Sequence, residues 1–376
     1  MVAAITFLGF LDTHLLIPII ALYASGLGAG TGVVGLIVGL YSVVNTPANI
    51  AFGRLIDRVG HRAPLSAGLI GSVISMILYA FARNPFHLAL VRALHGLSGA
   101  LVAPATMSLV AQYAVSRRRG RSMSFYGMAV AGASLVGYPL SGVIAARLGY
   151  TAVFFVGAAA LGFAVLLSFM MPRRVPVAAT PASRGNTLAE VRSLVTRRAL
   201  VPAYASIFAQ YFTVGGVVTL LPLHVETLGM GPLEMGLLLA AFSVLFVITQ
   251  FPGGAMSDRV GRRLPIVAGL ACVTVSLAVL PSLLSFAGLV AIMAVYGLGY
   301  GLVFPSISAL IADHTSADER GLATGLFHAL LTAGVAIGAP LMGWVGGRAG
   351  TDVALIMTPV PALLALALVL LYAGKQ

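Results

Sequence analysis

The chain has 376 residues, of which 59% are hydrophobic and only 9% charged, against roughly 25% charged in soluble domains; no water-soluble surface can be assembled from that inventory. The formal charge of +12 would suggest nucleic acid in a soluble protein, but the apolar runs are long and continuous, as helices that cross lipid require at roughly 20 residues each. They lack the alternation of a β-barrel, and the single cysteine, Cys272, excludes an intramolecular disulfide.

From the N-terminus, the predicted spans cover residues 2–25, 31–52, 64–82, 86–114, 121–146 and 150–171, then 200–227, 233–253, 265–282, 285–312, 320–346 and 351–373. The first follows Met1 with no basic leader or small-residue cleavage site and reads as a retained helix. It carries Asp12 near mid-bilayer depth. His14, two positions on and about 200° around the helix, faces another wall and reads as a packed or helix-bonded histidine. Spans two and three are joined by Gly53-Arg-Leu-Ile-Asp57-Arg58-Val-Gly60-His61-Arg62. The fourth holds Arg92-Ala-Leu-His95-Gly96-Leu-Ser-Gly99, with Arg92, His95 and both glycines on one face. The fifth carries Gly132 and Gly137-Tyr-Pro139-Leu-Ser-Gly142.

Residues 172–199, rich in Pro, Arg, Ser and Thr, read as a cytoplasmic linker between two six-helix bundles, 1–171 and 200–376, and residues 188–200 have the pattern of a short interfacial helix. In the second set, span seven bears Gln210, Tyr211 and Thr213, with His224 at its far end. Gly254-Ala-Met-Ser-Asp258-Arg259-Val-Gly261-Arg262-Arg263 joins spans eight and nine. Span ten bears Tyr296 and Tyr300, and span eleven His328 and Gly338-Ala-Pro340-Leu-Met-Gly343.

An offset of 201 residues brings the halves into register. Asp57, Arg58, Val59, Gly60 and Arg62 fall on Asp258, Arg259, Val260, Gly261 and Arg263; Gly96, Pro104, Gly137, Pro139 and Gly142 fall on Gly297, Pro305, Gly338, Pro340 and Gly343. Six spans per half make this a parallel repeat about an axis along the membrane normal. Eighteen of the 22 basic residues lie beside alternate connections or at the C-terminus; Arg83, Arg147 and Arg348 lie on the other set and Arg92 within a span. The positive-inside rule then places both termini in the cytoplasm.

The paired loops Gly53–Arg62 and Gly254–Arg263 resemble the loop signature of the major facilitator superfamily. That resemblance implies an all-α membrane fold of twelve helices in two pseudo-symmetric bundles. It also implies a gating role for Gly53, Asp57, Arg58, Gly60 and Arg62 and for Gly254, Asp258, Arg259, Gly261 and Arg263. Physically, Gly53 and Gly254 would admit a neighbouring helix, Asp57 and Asp258 would accept from a helix N-terminus, and the arginines would meet carboxylates or lipid phosphates. The Arg92–Gly99 stretch is similar to a second motif of the family, which usually has Gln where His95 stands. The Gly–Pro stretches around Pro139 and Pro340 resemble the antiporter motif, implying helix packing through Gly137, Pro139 and Gly142 and through Gly338, Pro340 and Gly343.

An arginine inside a membrane helix is costly unless it is paired or faces water, and Asp12 is the candidate partner of Arg92. Asp12 then binds and releases a proton, tuned by Arg92 and His95; a static ion pair between the two helices is the alternative. Asp12, Arg92 and His95 correspond to Thr213, Met293 and Tyr296, so titratable machinery belongs to the first half only. Asp12, Arg92, Gln210, Tyr211, Thr213, Tyr296 and Tyr300 are the expected substrate wall, suited to an amphipathic or aromatic molecule. The sole lysine, Lys375, leaves no Walker loop, and no histidine has metal-ligand spacing. The expectation is a secondary transporter, not an enzyme, without cofactor or metal, monomeric, in a prokaryotic inner membrane. Its partners are lipid, protons and a small molecule, and no nucleic acid. Proton-coupled export is the first reading; uptake of a small organic anion on Arg92 and lipid translocation are the alternatives.

Overall fold

The computed structural model describes residues 1–113, 119–171, 187–316 and 318–373. Among them every regular element is helical: α1 (Val2–Leu16), α2 (Ile20–Gly26), α3 (Thr31–Val59), α4 (Arg62–Ala80), α5 (Pro85–Tyr113), α6 (Arg119–Leu148), α7 (Tyr150–Phe169), α8 (Thr187–Thr196), α9 (Val201–Thr227), α10 (Pro232–Val260), α11 (Arg263–Val279), α12 (Phe286–Asp313), α13 (Arg320–Ala349), α14 (Thr351–Met357) and α15 (Val360–Ala373), with one 3-10 turn at Leu280–Ser282. Eleven stretches of these residues are long and apolar enough to cross a membrane. The bent pair α1 and α2, at 42°, makes a twelfth.

The bend has a local cause. Pro18 has no N–H to continue α1, and Ile19 N donates to Leu16 O instead of one residue further back. The Leu15 carbonyl this leaves open accepts from Ser141 Oγ of α6 at 2.5 Å. A backbone group that water cannot reach is thus satisfied by a neighbouring helix, as a lipid-embedded break requires.

The backbone repeats at the offset read from the sequence. Among the described residues, positive φ occurs only at glycine: Gly28 (86°), Gly60 (87°) and Gly149 (83°), then Gly229 (76°), Gly261 (87°) and Gly350 (94°). These form three pairs 201 apart, each where a helix has to stop and the chain reverse. The expected loops Gly53–Arg62 and Gly254–Arg263 differ from expectation. Most of each is helix, because nothing in Leu55–Val59 or Ala255–Val260 breaks it, and the connection shrinks to Gly60–His61 and Gly261–Arg262.

The chain divides into two compact units, Met1–Thr180 with Val225–Ala240, and Pro181–His224 with Ala241–Gln376. In the first, α1 packs on α6 and α7, α3 on α5, and α4 on α5 and α7; in the second, α11 packs on α12 and α15. Glycines permit these approaches. A Cβ on Gly68 would lie 2.8 Å from Ser98 O, and one on Gly269, its repeat mate, 2.6 Å from Gly299 O. Gly53 and Gly254 do not serve this purpose. A Cβ at Gly53 meets no described atom within 4 Å, and one at Gly254 only Pro305 Cβ at 3.8 Å, because at these positions the helix surface is open.

The end of the expected linker forms α8, whose Leu194 is buried; Arg173, Arg174 and Arg184 lie outside the described residues. Between α8 and α9, Arg197 clamps the start of α13. Its Nη2 and Nη1 donate to Glu319 Oε1 and Oε2 at 2.5 and 3.0 Å, and Nη1 also donates to His314 O at 2.7 Å. The Arg197 guanidinium, helped by Ser316 N–H, holds the Glu319 carboxyl down at about 2. A carboxyl depressed from 4.5 on folding stabilises the fold above the higher value and loses that contribution as pH falls towards the lower one. Arg197→Gln is therefore expected to melt below wild type at pH 7, with the gap closing from about pH 4.5 downward. A gap that stays constant from pH 7 to pH 3 would show that the clamp does not contribute.

Candidate functional site

Five side chains of the first unit converge: Asp12 of α1, Tyr41 of α3, Tyr79 of α4, and Arg92 and His95 of α5. Asp12 and Arg92 are 2% and 3% exposed and His95 is fully buried. His95 Nε2 and Asp12 Oδ2 are 2.9 Å apart, and the Tyr79 hydroxyl lies 3.4 Å from His95 Nδ1. Asp12 Oδ1 accepts from the backbone and hydroxyl of Thr13 at 2.5 and 3.2 Å. The His95 ring meets Tyr41 edge-on at 5.3 Å, and the Arg92 guanidinium carbon lies 5.0 Å over that same ring. Glycines set the spacing, since Gly96 is closed over by the Tyr41 carbonyl.

A 2.9 Å N···O contact holds at least one proton between Asp12 and His95. With Asp12 ionised and His95 neutral, Arg92 brings the cluster to zero net charge; one further proton would take it to +1.

Asp12 was expected to meet Arg92 first and His95 second, and the geometry reverses that order. His95 makes the direct contact. Arg92 Nε and Nη1 are buried without a hydrogen-bond partner among the described residues. Tyr41 and Tyr79 were missed, because neither follows from spacing within one helix; only the packing of α3 and α4 on α5 brings them in.

The second unit repeats the contact in neutral form. Thr213 Oγ1 and Tyr296 Oη are 2.8 Å apart, at the positions that match Asp12 and His95. Phe242 lies 5.1 Å from Tyr296, as Tyr41 lies beside His95. The Tyr300 hydroxyl donates to Gln210 O, Gln210 Nε2 donates to Tyr300 O at 3.4 Å, and Gln210 Oε1 is buried without a partner among the described residues. Tyr211, Phe242, Phe246, Tyr296, Tyr300 and Phe304 form a continuous run of ring contacts. Of these the sequence pointed to the tyrosines but not the phenylalanines, which carry no polar mark within an apolar helix.

The other marked positions are placed as follows. His14 Nδ1 donates to Phe10 O at 2.7 Å and packs on Tyr138. His224 Nδ1 meets Asp352 Oδ1 at 2.9 Å, and His328 stacks edge-on with Phe327. A Cβ on Gly137 would sit 2.7 Å from His14 Cβ, one on Gly142 2.7 Å from Pro232 O, and Gly338 is closed over by the Phe212 carbonyl. Pro139 and Pro340 lie inside α6 and α13, and Gly343 is buried.

At the gate motifs, Asp57 and Arg58 lie outside the described side chains. Asp258 accepts from Arg262 one turn on rather than from a helix N-terminus, and Arg262 Nε also donates to Asp313 Oδ2 at 2.8 Å. Arg262 and Asp313 were not singled out, since Arg262 aligns with His61 and falls outside the shared signature. Arg62 and Arg263 meet carbonyls, not carboxylates. Arg62 Nη2 donates to Phe169 O at 2.6 Å and Arg263 Nη2 to Leu370 O at 3.4 Å, matched positions at the ends of α7 and α15 where free carbonyls attract a cation.

The model of the family described as Major Facilitator Superfamily matches residues 2–233 and 203–375. An uncharacterized MFS-type transporter of Methanocaldococcus jannaschii is 22% identical over 92% of this chain and 90% of that protein. Multidrug resistance protein MdtG of Proteus mirabilis is 25% identical over 88% and 84%. Quinolone resistance protein NorA of Staphylococcus aureus is 29% identical, over 38% of this chain and 37% of its own. Among solved structures, a bacterial homolog of the human lysosomal transporter Spinster, inward-facing and occupied, superposes with a TM-score of 0.86 at 13% identity, covering 100% of this chain and 96% of that one. The nucleoside transporter NupG gives 0.80 at 13% over 99% and 100%; at such identities the likeness is one of fold.

The matched bridges differ in one testable respect, that only one can ionise. Removing His95 by His95→Ala leaves a buried carboxylate short of a partner, at a cost of about 3–5 kcal/mol. In a double-mutant cycle on thermal unfolding, Asp12→Asn and His95→Ala are expected to show a coupling that changes between pH 5 and pH 9. Thr213→Val and Tyr296→Phe are expected to show a smaller one, flat in pH. Equal, pH-independent couplings would mean that the Asp12–His95 pair does not exchange a proton in this range.

Proposed function

The chain belongs to the Major Facilitator Superfamily and is a multi-pass membrane transporter, and from that premise we propose that it exports amphipathic small molecules in exchange for protons, by alternating access. The observation that carries this is the pairing of buried bridges. Asp12 with His95 and Thr213 with Tyr296 occupy matched positions, yet only the first can take up a proton. Because the Asp12, His95 and Arg92 cluster is neutral before proton uptake and +1 after, a cationic amphiphile is favoured by the deprotonated form. Exchange needs that antagonism, in which substrate and proton load the carrier in turn. The aromatic run from Tyr211 to Phe304 supplies stacking surface for such a molecule, and Asp12, Arg92, Gln210, Tyr211, Thr213, Tyr296 and Tyr300 are the residues assigned to substrate. The names of MdtG and NorA point the same way. A prokaryotic inner membrane, both termini cytoplasmic, suits the arginine distribution.

The paired motif residues Gly53, Asp57, Arg58, Gly60 and Arg62 and Gly254, Asp258, Arg259, Gly261 and Arg263 are assigned to gating in the same reading. Arg262 and Asp313 join them, since their ion pair ties the start of α11 to the end of α12. Breaking and remaking such exposed pairs costs little, as a gate that cycles demands.

A second reading rests on Arg92. Two buried guanidinium nitrogens without hydrogen-bond partners among the described residues are a strong attraction for a carboxylate, and an anionic substrate would be drawn in with a proton rather than against one.

Both are decided in proteoliposomes. Under an imposed proton gradient, with ethidium as an aromatic cation probe, Asp12→Asn is expected to abolish gradient-driven accumulation and to keep substrate exchange without a gradient. Intact gradient-driven transport in Asp12→Asn would sink the proton-carrier assignment. Arg92→Gln is expected to weaken ethidium transport only modestly. If wild type instead takes up an aromatic carboxylate together with protons, and Arg92→Gln abolishes its binding, the anion reading replaces the first.

A further inference from the structure

Where the segment after α8 passes the end of α15, the second unit has an open pocket of about 560 Å³ lined by Thr196, Arg198, Leu371 and Tyr372. Arg198 is exposed and its guanidinium carbon lies 5.7 Å from the centre of the Tyr372 ring. It has no carboxylate partner among the described residues; the neighbouring arginine, Arg197, has taken both oxygens of Glu319. The Thr196 hydroxyl donates to Arg192 O at 2.7 Å and is free only to accept. The donors left to a ligand are the Arg198 guanidinium and the Tyr372 hydroxyl, and both suit an anion.

The other wall is apolar. Leu371 is 72% exposed, and Leu364, two turns back on α15, is 61% exposed. Both belong to the stretch Thr351–Tyr372, which is long and apolar enough to span a membrane, so these leucines adjoin lipid chains. This end of the helices also carries Arg263, bonded to Leu370 O beside the pocket. A cation, an amphipathic aromatic ring and exposed leucines are thus assembled over the last turns of a span, where it leaves the hydrocarbon.

We propose that this pocket binds an anionic phospholipid, its phosphodiester on Arg198 and Tyr372 and its acyl chain along Leu371 and Leu364. A guanidinium can give a phosphate two parallel donors. A free phosphate would gain nothing from the leucines, and a zwitterionic headgroup would bring its own cation towards Arg198. The site is independent of the substrate carried.

The test is native mass spectrometry of the full-length protein in detergent, titrated with phosphatidylglycerol or phosphatidylcholine. Wild type is expected to retain phosphatidylglycerol in preference. Arg198→Gln is expected to lose about fivefold in its affinity, the loss that one basic residue at an anionic surface corresponds to. Arg198→Lys is expected to keep part of it, and Arg192→Gln, an exposed arginine of α8 outside the pocket, to keep all of it. Tyr372→Phe, which keeps the ring, separates a lost hydroxyl from a lost fold. The proposal is overturned if Arg198→Gln binds phosphatidylglycerol like wild type, if phosphatidylcholine is retained equally, or if glycerol phosphate displaces the lipid at matched concentration, which would make it a site for free phosphate.

Discussion

Lipid gives a buried charge no water, so any ionised group within a span has to find its compensation among its neighbours. Asp12, Arg92 and His95 meet that condition as a group rather than as pairs. The carboxylate is held by His95 and Thr13, the arginine rests on the Tyr41 face, and the sum of charges is zero with the histidine neutral. Each helix of the first unit that contributes has to be placed so that this sum closes. That is why the close approach of α3 to α5 at Gly96, and the tucking of α6 against α1 at Gly137, bear on function as much as on stability. A side chain at either glycine would collide with backbone or with a side-chain stem, not with a flexible tip.

The same constraint explains how the helices end. A span broken by Pro18 leaves a carbonyl that Ser141 answers, and the last turns of α7 and α15 offer carbonyls that Arg62 and Arg263 answer. Arg62 and Arg263 are therefore fixed to the ends of their own unit's helices. Next to Arg263 in the second unit, Arg262 instead pairs with carboxylates, those of Asp258 and Asp313.

The number of spans, the offset of 201 and the concentration of ionisable chemistry in one half were legible because each is a property of a single strand of text: run length, self-similarity and the position of rare residues. The six left-handed glycines were visible as letters, and their pairing as turns follows from the same offset. The identity of the Asp12 partner was not legible. Arg92 and His95 lie on one face of α5 three residues apart, and which of them meets α1 depends on the rotation of α5 set by Gly96 against Tyr41. Tyr79 and Phe242 enter by the same route, from helices whose facing sides no periodicity reveals when all sides are apolar. The signature stretches were read as loops because charge was taken to mark the end of a helix. Charge marks the end of the hydrocarbon, and a helix continues past it until a glycine stops it.

The two bridges also show what a duplicated transporter can vary. The backbone places residues 12 and 95 as it places 213 and 296, and a contact of nearly the same length forms in both units. A second carboxylate and histidine would fit the second position geometrically. It would also bury a second charge at a cost of several kcal/mol before compensation, and it would need a second Arg92, where the sequence has Met293. Thr213 and Tyr296 keep the helix-to-helix hydrogen bond without that charge. On the exchange reading, this confines proton uptake to one unit, so that a single titration governs the cycle while the neutral unit offers its aromatic surface to substrate at any pH.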